Sequence, residues 1–259
     1  MISTTLGGSE GLAPRDRVGA AIHRASAAVG VDFGYMFNQA RIESGLNPAA
    51  RARTSSATGL FQFIEQTWLG VVKQHGAKHG LGWAADAVQR GSDGRYRVDP
   101  SMRQAVLDMR KDPEAASAMA AEFAADNRDH LEAKLGRPAE SVDLYLAHFL
   151  GAGGASRFLG AHDNNPDAPA AAILPAAARA NRWVFYNRDG SPRSFAEIRE
   201  RFAAKIGGSN ALPAAAPSLR DDGAAVRMAS LTTNPARPIA GPSPQYAKLA
   251  YLLLAELGG

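Results

Sequence analysis

The chain has 259 residues, enough to bury one sizeable core, and 29 basic residues against 25 acidic ones leave a net charge of +4. With no cysteine it has no disulfide, no thiolate metal site and no cysteine nucleophile. The mild basic excess suits an anionic polymer, but lysine and arginine are too dispersed for a nucleic-acid surface, and no apolar run has the length of a membrane span.

Residues 1–13 are rich in Gly, Ser and Thr and read as a loose segment. The start, MISTTLGGSEGLAPRDR, holds no apolar core of a signal peptide, so export would need a removed leader or a non-standard route. From 14 to 206 the pattern is mostly helical. In VDFGYMFNQARIESGLNP, Asp32 is an expected N-cap, and Phe33, Met36, Phe37 and Ala40 recur at helical spacing on one face. Glu43 falls on or beside that stripe, and Gly45 suits a left-handed cap before Asn47-Pro48 ends the helix. Its carboxyl group therefore sits in the last turn, where apolar neighbours and the negative end of the helix dipole favour the protonated form that a general acid needs. The plainer alternative is a helix-edge glutamate paired with Arg41 or Arg51.

The stretch TSSATGLFQF is the only expected strand material, as a small hairpin or an irregular loop, with one of Phe61 and Phe63 entering the core. IEQTWLGVVKQHG predicts a helix with Trp68, Val71, Val72 and His75 on one face, ending at Gly76. A helix follows Pro100, with Met102, Ala105, Val106 and Met109 on one side. A long Ala-rich helix spans about Pro113 to Leu135, with Met119, Phe123 and Leu131 inward. Ser141 is the expected cap of VDLYLAHFLG, where Val142, Tyr145, Leu146, Phe149 and Leu150 pack. Ser194 and Glu197 fit a capping box for FAEIRERFAAKIG. Residues 207–244 hold six of the fifteen prolines and few large apolar groups, which reads as a linker. Residues 245–259 form an amphipathic helix on Tyr246, Leu249, Leu253 and Leu257, either folding back or docking a protein partner.

Two motifs, ESG at 43–45 and TGLFQF at 58–63 with TW at 67–68, resemble those of the Slt-type lytic transglycosylases of the lysozyme superfamily, in the form of an alphaproteobacterial branch. AHFLG at 147–151 is the best candidate for the family's third motif. The resemblance covers roughly residues 20 to 160, and ANRWVFYNRDGSPRSFAEI looks like an extension seen in that branch. It implies a mainly α, lysozyme-like fold with minimal β structure, and no metal or organic cofactor. Glu43 is then the sole acid/base. Ser44 supports the helix end or the substrate, and Gly59, Leu60, Gln62 and Phe63 line the glycan cleft with Tyr145 and His148. The third motif departs from the family's Ala-Tyr-Asn-x-Gly. His148 stands for the tyrosine and Phe149 for the asparagine, so the amide hydrogen bond of that asparagine has no counterpart.

What this implies is a peptidoglycan lyase of the periplasm or cell envelope. Glu43 protonates the bond between N-acetylmuramic acid and N-acetylglucosamine, then deprotonates the 6-hydroxyl that closes a 1,6-anhydro ring. A hydrolytic muramidase needs a second carboxylate or a positioned water instead. The loop 49–59 contains no acid, and Glu65 is the nearest one beyond it. A non-catalytic peptidoglycan-binding or assembly protein is the rival from another class. Its C-terminal helix would then be its working part, while for the lyase the same helix is a possible dock for flagellar, secretion or phage machinery. Each residue also has a structural reading: Gln62 as a loop cap, His148 as a core histidine, Tyr145 and Tyr186 as packing.

Overall fold

The computed structural model describes residues 14–53 and 55–207. The loose segment, the terminal helix and all but the first residue of the linker read from the sequence lie outside the described residues. The described chain is mainly helical. Helix α1 (Pro14–Val29) packs along the longest helix, α6 (Pro113–Leu135), where alanines let the two backbones come close. Ala21 and Ile22 of α1 and Met119 and Ala121 of α6 are fully buried. Asp112 caps α6 by accepting from the Ala115 N–H at 2.8 Å, Pro113 enters at its first turn, and Gly136 ends it at φ 67°.

Helix α2 (Phe33–Ser44) starts as expected at Asp32, whose carboxylate accepts from the Tyr35 N–H at 2.6 Å. It ends at Gly45 (φ 64°), where the Gly45 and Leu46 N–H groups close back on the Arg41 and Ala40 carbonyls. Helix α3 (Glu65–His75) buries Trp68, Leu69, Val71, Val72 and His75. After the short α4 (Gly82–Ala87) comes a feature the sequence reading missed. Strands β1 (Val88–Arg90) and β2 (Tyr96–Val98) form an antiparallel hairpin in the register Val88 to Val98. Its turn carries Asp93-Gly94, with Gly94 at φ 76°. Gln66 clamps the hairpin to α3, donating to the Tyr96 carbonyl and accepting from its N–H, both at 2.9 Å. Of the two expected forms of the TSSATGLFQF stretch, the irregular loop is the one present, with Thr58 making isolated bridges to Arg51 and Phe63. Because the loop doubles back, alternation fails and Phe61 and Phe63 are both buried.

Helix α5 (Pro100–Asp108) buries Val106 and Leu107, while Ala105, expected inward, faces solvent. Helix α7 (Ser141–Leu150) buries all five of its expected core residues. Its N-cap is Glu140 and not Ser141, and the Glu140 N–H donates to Asp143 at 3.2 Å. After α8 (Ala152–Asn164) come three short turns, α9 (Ala170–Ile173), α10 (Pro175–Ala180) and α11 (Arg182–Phe185). The last helix, α12 (Phe195–Gly207), opens with the expected reciprocal box. The Ser194 N–H donates to Glu197 at 2.8 Å and the Glu197 N–H to the Ser194 hydroxyl at 3.2 Å. Its buried stripe, Phe195, Ile198, Phe202 and Ile206, lays α12 across α2, α7 and α8. The C-terminal end of the described chain is thereby brought onto the helix that carries Glu43. None of the described helices is long and apolar enough to cross a membrane.

Candidate active site

Local folding places Glu43 at the end of α2 with a loop opening immediately beyond it. The residue is 4% exposed. Ser44, also buried, turns its hydroxyl back onto the Ala40 carbonyl at 3.0 Å and so holds the last turn. Neither Arg41 nor Arg51 forms an ion pair with Glu43 among the described residues.

The polar groups around Glu43 come from α7 and α12. The Tyr145 hydroxyl donates to Glu43 Oε1 at 3.4 Å, and His148 Nε2 lies 3.6 Å from the same oxygen. The Tyr145 and His148 rings are nearly parallel, 7° apart, with centroids separated by 6.2 Å. Phe202 of α12 packs on Tyr145 and on Phe149, at 5.6 and 4.9 Å, so the position where an asparagine was expected is part of the aromatic wall. Lys205, one turn further along α12, puts its ammonium 5.6 Å from the Tyr145 ring centroid.

Lys205 and Tyr35 are the residues that sequence reasoning missed. Burial pulls the Lys205 ammonium down to about pKa 8, although the charge of Glu43 acts to raise it. Tyr35, buried on α2, has its phenol pushed far above its ordinary range by burial and then by Glu43. The signal for Lys205 was a single lysine three residues after Phe202, beside the apolar stripe of an amphipathic helix.

The second motif forms a different unit. Gly59 sits at φ 86°, and a Cβ there would stand 1.8 Å from the Arg110 carbonyl oxygen, so the loop passes where only glycine fits. Gln62, at φ 48°, uses its side-chain amide to donate to the Gly59 and Ala50 carbonyls at 2.9 and 3.3 Å. Buried Arg110 pins the same loop through the Ser56 and Phe63 carbonyls at 2.7 and 3.2 Å. Leu60 is fully buried, and Phe63 packs edge-on against Trp68 at 5.4 Å and Phe123 at 6.1 Å. The structure thus joins Glu43, Tyr145 and His148 through polar contacts. The donor groups of Gln62 are occupied inside their own loop.

No known family model matches the chain. Its chemistry has to be read from the site. A buried carboxyl group with a phenol fixed on one oxygen and an ammonium nearby is suited to proton transfer. The acid nearest in sequence beyond the loop, Glu65, is taken up by Arg103, which donates to both its oxygens at 2.8 and 2.7 Å. Two adjoining clefts lie on the α12 side. One of about 420 Å³ is lined by Trp183, Val184, Ile198, Arg201, Phe202, Ala204 and Lys205. The other, about 450 Å³, is lined largely by arginines and aromatic rings. Lys205 links the first cleft to the surroundings of Glu43.

Proposed function

We propose that the chain is a lysozyme-like peptidoglycan lytic transglycosylase with Glu43 as its single acid/base. The observation that carries this reading is the placement of one buried carboxyl group, at a capped helix end, under Tyr145 and His148. The two motifs that resemble the Slt family, ESG and TGLFQF, supply the substrate class.

In the first step Glu43 gives its proton to the oxygen between N-acetylmuramic acid and N-acetylglucosamine, and that bond breaks. The acetamido oxygen of the muramoyl sugar stabilises the anomeric carbon, as in substrate-assisted glycosidases. In this scheme Tyr145 donates to Oε1 and Oε2 carries the proton. The carboxylate so formed lies near the Lys205 ammonium, which stabilises it until the second step. There Glu43 takes the proton of the 6-hydroxyl while that oxygen bonds to the anomeric carbon. Closure of the 1,6-anhydro ring returns the carboxyl group to its starting state, so one acid suffices. Engagement of Glu65 by Arg103 weakens the hydrolytic alternative, which requires a second carboxylate or a held water.

The test is product analysis on purified sacculi by mass spectrometry, with Glu43→Gln as the control. Anhydro ends from the native chain, and a loss of at least about 10²-fold in the variant, are expected. Reducing ends would establish a hydrolase. Equal clearing by both proteins would refute Glu43 as the acid, and clearing by neither would identify a binding protein.

A further inference from the structure

We propose that the two clefts beside α12 form one cationic, aromatic-lined trough that binds the carboxylate-bearing peptide stem of a muramyl glycan strand. The proposal rests on the reading of Glu43 as the acid that cleaves that strand, and it adds which part of the substrate this face selects.

The clefts share Trp183 and Arg201. One end reaches Lys205 near Glu43, and the other is lined by Arg182, Tyr186 and Arg188. Neither lining includes an aspartate or a glutamate. Two acids close by in sequence make local hydrogen bonds. Asp189 accepts from the Ser191 N–H at 2.9 Å and its hydroxyl at 2.7 Å, and Glu197 closes the capping box with Ser194.

Positive charge is held here by construction. Arg193 is 8% exposed and donates to the Trp183 and Val184 carbonyls at 2.7 and 2.6 Å and to Asn187 Oδ1 at 3.0 Å. Its guanidinium therefore serves as a fixed strut. Burial and then the like charge of Arg201 act against its charged form, while the charge of Glu197 acts for it. An anion bound in the cleft that both line offsets their like charge. Arg182, Arg188 and Arg201 are exposed, and Arg182 stacks over the Tyr186 ring at 4.6 Å. A planar guanidinium fork receives a carboxylate by paired hydrogen bonds.

The aromatic component decides between anions. Trp183 is 36% exposed, an apolar surface between Lys205 and the arginines. A bare polyanion makes no use of it. A peptide stem that carries both methyl groups and free carboxylates uses both the indole and the guanidinium groups. Since the stem branches from the muramoyl sugar whose bond Glu43 breaks, it would leave the site in the direction of a neighbouring cleft.

The experiment measures binding by the full chain carrying Glu43→Gln, so that strands are not consumed. The probes are labelled glycan strands with peptides intact and the same strands stripped by an amidase. Peptide-bearing strands are expected to bind about tenfold more tightly, with the difference shrinking as salt rises. In the same background, Arg182→Gln, Arg188→Gln and Arg201→Gln together should bring the ratio close to one, and each single change should lower it. Removing the same charge from exposed Arg17, Arg95 and Arg157 should preserve the ratio. Unfolding spectra verify that each variant is folded. Equal binding of the two strands, or an unchanged ratio in the arginine variants, overturns the proposal. Anhydro products made by the native chain from stripped strands report on Glu43 chemistry separately, so failure of either idea is recognised by itself.

Discussion

The Tyr145 hydroxyl donates to Glu43 Oε1 across 3.4 Å, joining the end of α2 to the middle of α7 through two buried side chains. A phenol in this position orients the carboxyl group, and the length of the contact places it at the weak end of hydrogen bonds to ionisable groups. Tyr145→Phe keeps the ring that packs on Phe202 and removes only the donor. The expected result is a fall in kcat of about tenfold, the equivalent of ~1.4 kcal/mol, with KM little changed. Melting temperature should stay nearly constant. A large drop in stability with kcat intact would make Tyr145 a packing residue and nothing more.

Lys205 gives the site a pH signature. Its pKa in the fold, about 8, lies below the ordinary 10.5, because burial disfavours the ammonium more than Glu43 favours it. Between those values the unfolded chain binds the proton and the folded chain does not, so this group makes stability rise with pH across that window. Below pH 8 both states are charged, and the desolvation cost is fully present. Lys205→Met should therefore raise the melting temperature near pH 7, by about 2–4 °C for a gain of ~1 kcal/mol. Under the proposed function it should also lower kcat, because a carboxylate formed by proton donation from Glu43 would lose its neighbouring cation. In the native chain the rate should decline above pH 8, and in the variant that inflection should be gone. Rate profiles with the inflection retained would place its origin elsewhere.

Much of this arrangement was legible in local signals. Asp32, Gly45 and Gly136 mark helix ends because capping is decided within a few residues. The burial of Glu43 followed from its spacing to Met36 and Ala40. Lys205 was not legible, since its approach to Glu43 comes from the crossing of α12 over α2, which no local period encodes. Tyr35 was missed because Phe33 and Phe37 drew the apolar stripe to one side of it, although Tyr35 is the more deeply buried. The hairpin was missed despite a turn signal at Asp93-Gly94, because its three-residue strands are too short for alternation to stand out. Gln62 resembles a ligand group in sequence, yet its amide is consumed by carbonyls of a loop whose fold depends on Arg110, far along the chain.

That loop is expected to fail as a unit. At Gly59 a methyl group meets the Arg110 carbonyl oxygen at 1.8 Å, and the backbone is already at φ 86°. Backbone cannot yield as a flexible side-chain tip does, so Gly59→Ala should cost about 3 kcal/mol, or a melting temperature lower by roughly 6–12 °C. Arg110→Met removes the donors to Ser56 and Phe63 and should act in the same direction. Because both changes affect one loop, the double variant should lose less than the sum of the singles. Additive losses would show that Gly59 and Arg110 support separate structures.

A second charged cluster ties α3 to α6 away from these clefts. Glu122 accepts from His79 at 2.7 Å, stands 2.9 Å from His75 Nδ1 and 3.4 Å from Lys78, and His75 also reaches Asp126 at 2.8 Å. Burial acts to raise the Glu122 pKa, but His79, His75 and Lys78 outweigh it and hold the group below the usual carboxylate value. A depressed carboxylate contributes stability above its unfolded pKa and loses it as pH falls through the folded one. The native melting temperature should therefore drop as pH falls from about 5 toward 3, and Glu122→Gln should make that drop shallower. At pH 7 the same variant should be less stable by about 2–3 kcal/mol, because the carboxylate charge shared by three cation-forming groups is lost and one acceptor oxygen becomes an N–H donor in a buried place. Thermal melts across pH for the two proteins measure both effects. Parallel curves, offset by a constant, would show that the acid sensitivity arises from other carboxylates.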